Sequence, residues 1–421
     1  MSIRQRILLI LILLTLPLLL PADTIPADRA LDFQVAALVN GRGFNLALWE
    51  VSALAGKLRD LVADPAGHLD DAAARQLVLD YVATARRIGE LEEAITRARG
   101  NPQQPLADGA IAAWQAELEA LRGRQAQRRD VVEAILERQV TSVLAEEGLT
   151  TLGLVWPPLK FHFSEPPLYL IVSPRQVIAL RKGVHLRAGL TISEREEIEA
   201  AVDSALPAYV SLVEDIGGFG AYPTMVIDNA SLSWILDTIA HEWTHNVLAF
   251  RPLGWHYFDS NDTVTLNETV ASIVGEEIGA RLLERYYPQE VPSLRPPISE
   301  RRPLNIPELV PPRFDFNGEM RHTRLRVDEL LAAGRVAEAE AFMEAQRQRF
   351  VAEGYALRKL NQAYFAFHGS YATAPSAVDP IGPKMTRLRE ASSSLRAFLE
   401  TVSRFTRVED LDHALEGTVG W

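Results

Sequence analysis

Eight prolines fall between Pro288 and Pro312, in the run "PQEVPSLRPPISERRPLNIPELVPP". A proline carries no backbone N–H, so a segment this dense in it can be neither a helix interior nor a central strand. The chain must therefore fold in two portions joined by a stretch that crosses the surface. We place that linker at residues 296–318. The 421 residues suffice for two or three hydrophobic cores. The balance of 43 basic against 55 acidic residues, net −12, supplies no concentrated basic surface and argues against nucleic acid as a partner. There is no cysteine. Disulfides, thiol catalysis and zinc ribbons are thereby excluded, and any metal must be held by histidine and carboxylate.

The N-terminus, "MSIRQRILLILILLTLPLLLPADTIPADRA", sets Arg4 and Arg6 before an apolar run from Ile7 to Leu20. As a helix that run reaches about 21 Å, short of the ~30 Å hydrocarbon core of a bilayer. Residues 1–27 are thus expected to be a secretory signal, with a membrane anchor as the variant. This makes the folded portion extracytoplasmic and allows membrane association through the N-terminus.

Residues 28–150 carry almost no strand signal. Two stretches with apolar residues at helical spacing flank the breaker "NPQQP", which predicts a long antiparallel helical hairpin over 68–148. From 151 to 295 the pattern changes. "KFHFSEPPLYLIVSP" and "GVHLRAGL" read as strands, and "SEREEIEAAVDSALPAYVSLVEDIG" as a polar amphipathic helix. A Gly-rich turn leads into a strand at Thr224 to Ile227, and "SLSWILDTIAHEWTHNVLAF" reads as a buried helix. Residues 319–421 are helical again. The fold expected is mainly α with a small mixed β-sheet, an α+β arrangement whose C-terminal helical subdomain closes a cleft.

The chemistry lies in "HEWTH", residues 241–245. On a helix His241 and His245 stand one turn apart on one face, about 5–6 Å apart at Cβ, so both imidazoles reach one Zn²⁺ at about 2.0–2.1 Å. Glu242 is rotated off the metal axis, where it can take a proton from the attacking water. The string arises by accident in roughly one sequence of this length in a hundred, so a third ligand is needed. Leu248 and Arg251 stand where a metzincin continuation needs Gly and His. Asp259 and Asp262 are available in the following loop. In "TLNETVASIVGEEIGARLLERYY", Glu268 follows His245 with 22 residues between them, and the small Ala271 and Ser272 would let two helices approach closely. Three ligands and one open position are the layout of a catalytic zinc site.

"HEWTH" and "NETVAS" resemble the gluzincin metallopeptidases, the thermolysin-like group. The resemblance implies a zincin-like catalytic domain with zinc on His241, His245 and Glu268, Glu242 as general base, a peptide or protein substrate, and an upstream edge strand, here Gly220 to Asp228, that pairs with substrate backbone. Where the thermolysin-like pattern has an aspartate four residues after the ligand glutamate, this chain has Ser272. Asp237 or Glu276 is then left to orient the first histidine. "NDTVTLNE" and "NQAYFAFHGSY" are similar to a narrower group of bacterial zinc aminopeptidases.

A donor for the developing oxyanion is expected from Tyr371 first and His368 second, with His256 and Tyr257 as alternatives. Glu276, Glu277 or Asp228 would hold a substrate ammonium in an exopeptidase. His68, His162, His185, His322 and His413 have no partner at ligand spacing and read as structural or solvated. The competing function is a membrane-tethered helical scaffold or binding protein whose zinc site is structural or vestigial.

Overall fold

A computed structural model describes residues 30–39, 41–63, 65–100, 110–290, 314–369 and 380–418. The apolar leader, most of the proline-rich linker and Tyr371 lie outside the described residues. The chain divides into two compact units at Gly41. Described residues of the first form helix α1 (Ala30–Leu38), and all that follows belongs to the second.

Helix α2 (Leu46–Ala63) precedes the hairpin of α3 (Asp71–Gly100) and α4 (Ala110–Glu146). The hairpin closes along a seam at helical spacing, Val78, Tyr81, Ile88 and Leu91 on one helix and Leu118, Leu121, Val132 and Ile135 on the other. Arg87–Glu117 and Arg122–Glu92 bridge its outside, but exposed pairs of this kind contribute little. Helix α4 stops at Gly148, whose φ of +71° suits a residue without Cβ. Leu149 N donates to Leu144 O and Gly148 N to Ala145 O, satisfying the last carbonyls.

Strands β1 (Phe161–Phe163), β2 (Leu168–Pro174) and β3 (Lys182–Leu186) follow. Helix α5 (Ile192–Ala205) opens on a capping box of Thr191 and Glu194. The stretch expected as one helix to Gly217 breaks here. Pro207 cannot continue the helical ladder, and the β-prone "YVSLV" becomes strand β4 (Tyr209–Glu214) instead. Strands β5 (Gly218–Phe219) and β6 (Thr224–Val226) complete the set. Two three-stranded sheets result. In one, β2 lies between β3 and β4, antiparallel to both; in the other, β6 lies between β1, parallel, and β5, antiparallel. The strand expected at the cleft edge is therefore central, and β5 is the edge.

The outer edge of β1 is finished by side chains. Phe163 N donates to Glu133 Oε1 at 2.7 Å and Phe161 N to Glu137 Oε1 at 3.3 Å. Both glutamates come from α4 and are held by the buried Lys57 of α2 at 2.6 and 2.8 Å.

Helix α6 (Leu232–Leu248), the short α7 (Pro252–Trp255) and α8 (Asn261–Tyr286) carry the motif. Ser231 caps α6, and Ser260 with Thr263 caps α8. Two glycines of α8, Gly275 and Gly279, stand where α6 comes close. A Cβ at Gly275 would stand 2.7 Å from Asp237 O and 3.1 Å from His241 Cβ, and one at Gly279 would meet Asp237 Oδ1.

Beyond the linker, α9 (Phe316–Ala332) and α10 (Val336–Ala352) pair, and α11 (Gln362–His368) packs on β2 and β4. Helix α9 begins inside the segment assigned to the linker, capped by Asp315. Helices α12 (Ile381–Ala391), α13 (Leu395–Val402) and α14 (Glu409–Thr418) instead join one continuous buried cluster with α3, α4, α6 and α8. The whole is mainly helical with a small share of strand, the α+β class expected. No described helix is long and apolar enough to cross a membrane.

Candidate metal centre and cleft

Because α6 presents every fourth residue on one face, His241 and His245 point together toward α8, where Glu268 is buried opposite them. The three side chains offer ligand atoms to one point. The imidazole Nε2 atoms are 3.1 Å apart, and Glu268 Oε2 lies 3.5 Å from His241 Nε2 and 3.7 Å from His245 Nε2. A tetrahedral ion with ligand bonds of about 2.0–2.1 Å separates its ligand atoms by about 3.3–3.4 Å. The triangle is the right size for such an ion.

Hydrogen bonding supports the same fit. Glu268 Oε1 accepts from Tyr257 Oη at 2.6 Å, while Oε2, facing the imidazoles, is buried with no hydrogen-bond partner. An orphaned buried carboxylate oxygen is costly unless a cation meets it. His245 Nδ1 lies 2.8 Å from Asn267 Oδ1. Since an amide oxygen only accepts, the proton sits on Nδ1 and the Nε2 lone pair is left for a metal. Without an ion the charges couple directly. Burial opposes a charged His245, but the Glu268 carboxylate overcomes it and raises the imidazole to about 9. Burial alone would raise Glu268; the two imidazoles outweigh it and hold the carboxyl well below the usual range.

Glu242 points into the same cleft, buried, and its carboxyl is pushed up by burial and by Glu268 against the pull of the two histidines. Strand β5 lies directly over it. A Cβ on Gly218 would come within 2.2 Å of Glu242 Oε1, so the carboxylate occupies space that only glycine leaves open.

The cleft has a volume of about 1150 Å³. Its far wall includes Tyr169 of β2 and His185 of β3, which face each other in register with rings 4.9 Å apart. Burial, with the nearby Glu268 carboxylate, raises the Tyr169 phenol to about 12, and burial lowers His185 to about 4. Neither residue was marked by sequence motif, and His185, read there as structural or solvated, lines the cleft. Their only sequence signal is an aromatic and a histidine on strands that register brings side by side.

The other expected donors fare differently. His368 does not line the cleft; its Nε2 faces Glu214 of β4 at 3.7 Å and its ring packs on Tyr364. Tyr371 lies outside the described residues. Tyr257 reaches the centre through Glu268, whereas His256 is engaged by Asp259 at 2.6 Å. Among the acids suggested for an ammonium, Asp228 accepts from Tyr81 and Gln125, Glu277 is clamped by Arg389, and Glu276 lines the cleft. Asp237 also lines it, and Asp262 does so without joining the ligand group. Asn361, the first residue of "NQAYFAFHGSY", caps α11 and donates to Ser211 O at 3.1 Å. Its part is to fasten that helix to β4. Compared with protein-family models, curated proteins and solved structures, the chain finds no match.

Proposed function

We propose that the protein is a zinc metallopeptidase of gluzincin type with a zincin-like catalytic core, exported through its N-terminal apolar segment. The observation that carries this reading is the unpartnered buried Oε2 of Glu268, set against two imidazole nitrogens at tetrahedral ligand spacing. His241, His245 and Glu268 would hold the zinc. When bound, the ion supplies Lewis-acid chemistry, polarising a carbonyl and lowering the pKa of water.

The chain's own groups supply the rest. Glu242, buried and with raised proton affinity, accepts a proton from the attacking water and passes it to the leaving amine. The edge of β5, beside that carboxylate, pairs with an extended substrate backbone. Tyr169 stays protonated through neutral pH and is the donor to the oxygen on which negative charge develops, with His185 beside it. A Glu242 that only filled space in a structural site would not sit in an open cleft.

Metal analysis of the purified protein together with a peptide-library cleavage profile tests the reading. Glu242→Gln should keep its zinc and lose hydrolysis by about 10²–10⁴-fold. A zinc-loaded wild type that cleaves nothing would leave the scaffold alternative in possession.

A further inference from the structure

The carboxylates that line the cleft, among them Asp215, Asp237, Asp262 and Glu276, are faced by a single basic side chain. Among the described residues that line it, Arg324 of α9 is the only lysine or arginine. Its side chain is only 15% exposed. Nε donates to Asp328 at 2.8 Å and Nη1 to Phe365 O at 3.4 Å, and the guanidinium lies over the Phe365 ring at 5.6 Å. Nη2 makes no hydrogen bond among the described residues. The guanidinium is seated where Gly369 has no side chain, since a Cβ there would stand 2.8 Å from Nη1. Helix α11 links this wall to the centre. Phe365 and Phe367 both line the cleft, and the Phe367 ring is 6.0 Å from Tyr169, which feels the Glu268 carboxylate.

Asp328 pairs with Nε only, so the Nη2 end of the one basic side chain in this cleft keeps its donors for a bound group. The planar Nη end of a guanidinium matches a carboxylate better than any other anion that a peptide carries. We propose that Arg324 anchors a carboxylate of the bound peptide, so that the substrates are peptides presenting either a free C-terminus or an acidic side chain to the α9–α11 wall. This rests on the peptidase reading of the same cleft, but it concerns binding and can fail separately from hydrolysis.

The test uses fluorescence anisotropy on the full zinc-loaded chain. The probes are labelled peptides with a ketomethylene group in place of a cleavable amide: one with a free C-terminus, one amidated and neutral, and one amidated with an internal glutamate. The wild type is expected to bind at least one carboxylate probe about ten-fold or more tighter than the neutral probe, the usual worth of a charge-assisted hydrogen bond. Whichever probe shows the preference identifies the source of the carboxylate. Arg324→Gln should abolish that preference while affinity for the neutral probe stays within about two-fold, and Arg324→Lys should retain part of it. Equal binding of all three probes by the wild type, or an undiminished preference in Arg324→Gln, overturns the assignment. A retained preference in a protein that hydrolyses no peptide would sink the peptidase reading and leave this anchor standing.

Discussion

Asn267 decides which nitrogen of His245 is free. By accepting from Nδ1 it fixes the tautomer and the ring angle, and it does so from the position next to Glu268. Asn267→Ala should therefore weaken metal binding by about 10–100-fold, read by competition with a chelator, without unfolding the chain. A second residue carries a pH signature. His185 is held neutral in the fold down to about 4 against an ordinary 6.5, so the unfolded chain takes up its proton first. The stability tied to this neutral imidazole is present above pH 6.5 and is lost as pH falls from there toward 4. Thermal melts of His185→Gln across that window should show a shallower acid slope than the wild type. The histidine pair was legible in the sequence because i to i+4 spacing is a property of one helix. Tyr169 and His185 were not, since only strand register brings them opposite each other, far upstream of the motif.

At the level of elements, the centre depends on how closely α6 and α8 lie. Two of the three grouped side chains sit on one helix and the third on the other, so the triangle keeps its size only while Gly275 gives Asp237 O and His241 room. Gly275→Val forces the helices apart. The expected cost is about 1–3 kcal/mol of stability by overpacking, measured by urea denaturation, together with a loss of zinc affinity that Ala271→Ser would not cause. The small residues suggested by the sequence at this contact, Ala271 and Ser272, are followed on the same helix by Gly275 and Gly279, where the room for Asp237 and His241 is explicit. The break of α5 at Pro207 was equally present in the sequence. An amphipathic run before the proline hid the strand-forming "YVSLV" after it.

For the molecule as a whole, the segment beyond the linker does two jobs. Within residues 316–369, α9 and α10 share a cluster of their own with α11, and α11 packs on the β3–β2–β4 sheet and furnishes a cleft wall, whereas 381–418 are built into the main core with α8 through Met385, Leu388, Phe398 and Leu411. Truncation after Pro380 should thus remove core rather than open the cleft. The shortened chain is expected to lose cooperative unfolding and zinc binding together, which calorimetry and metal analysis would report. Composition and periodicity revealed that these segments are helical, but the partner of each apolar face is a long-range property that no local pattern encodes.

The carboxylates of Glu133 and Glu137 plug the outer margin of β1. A sheet grows only where its backbone groups are on offer, and here growth is barred on one side. Any extended guest that adds itself to these three strands is obliged to do so at β5, alongside the residue assigned to cut it, so the plug protects against aggregation and directs traffic at once.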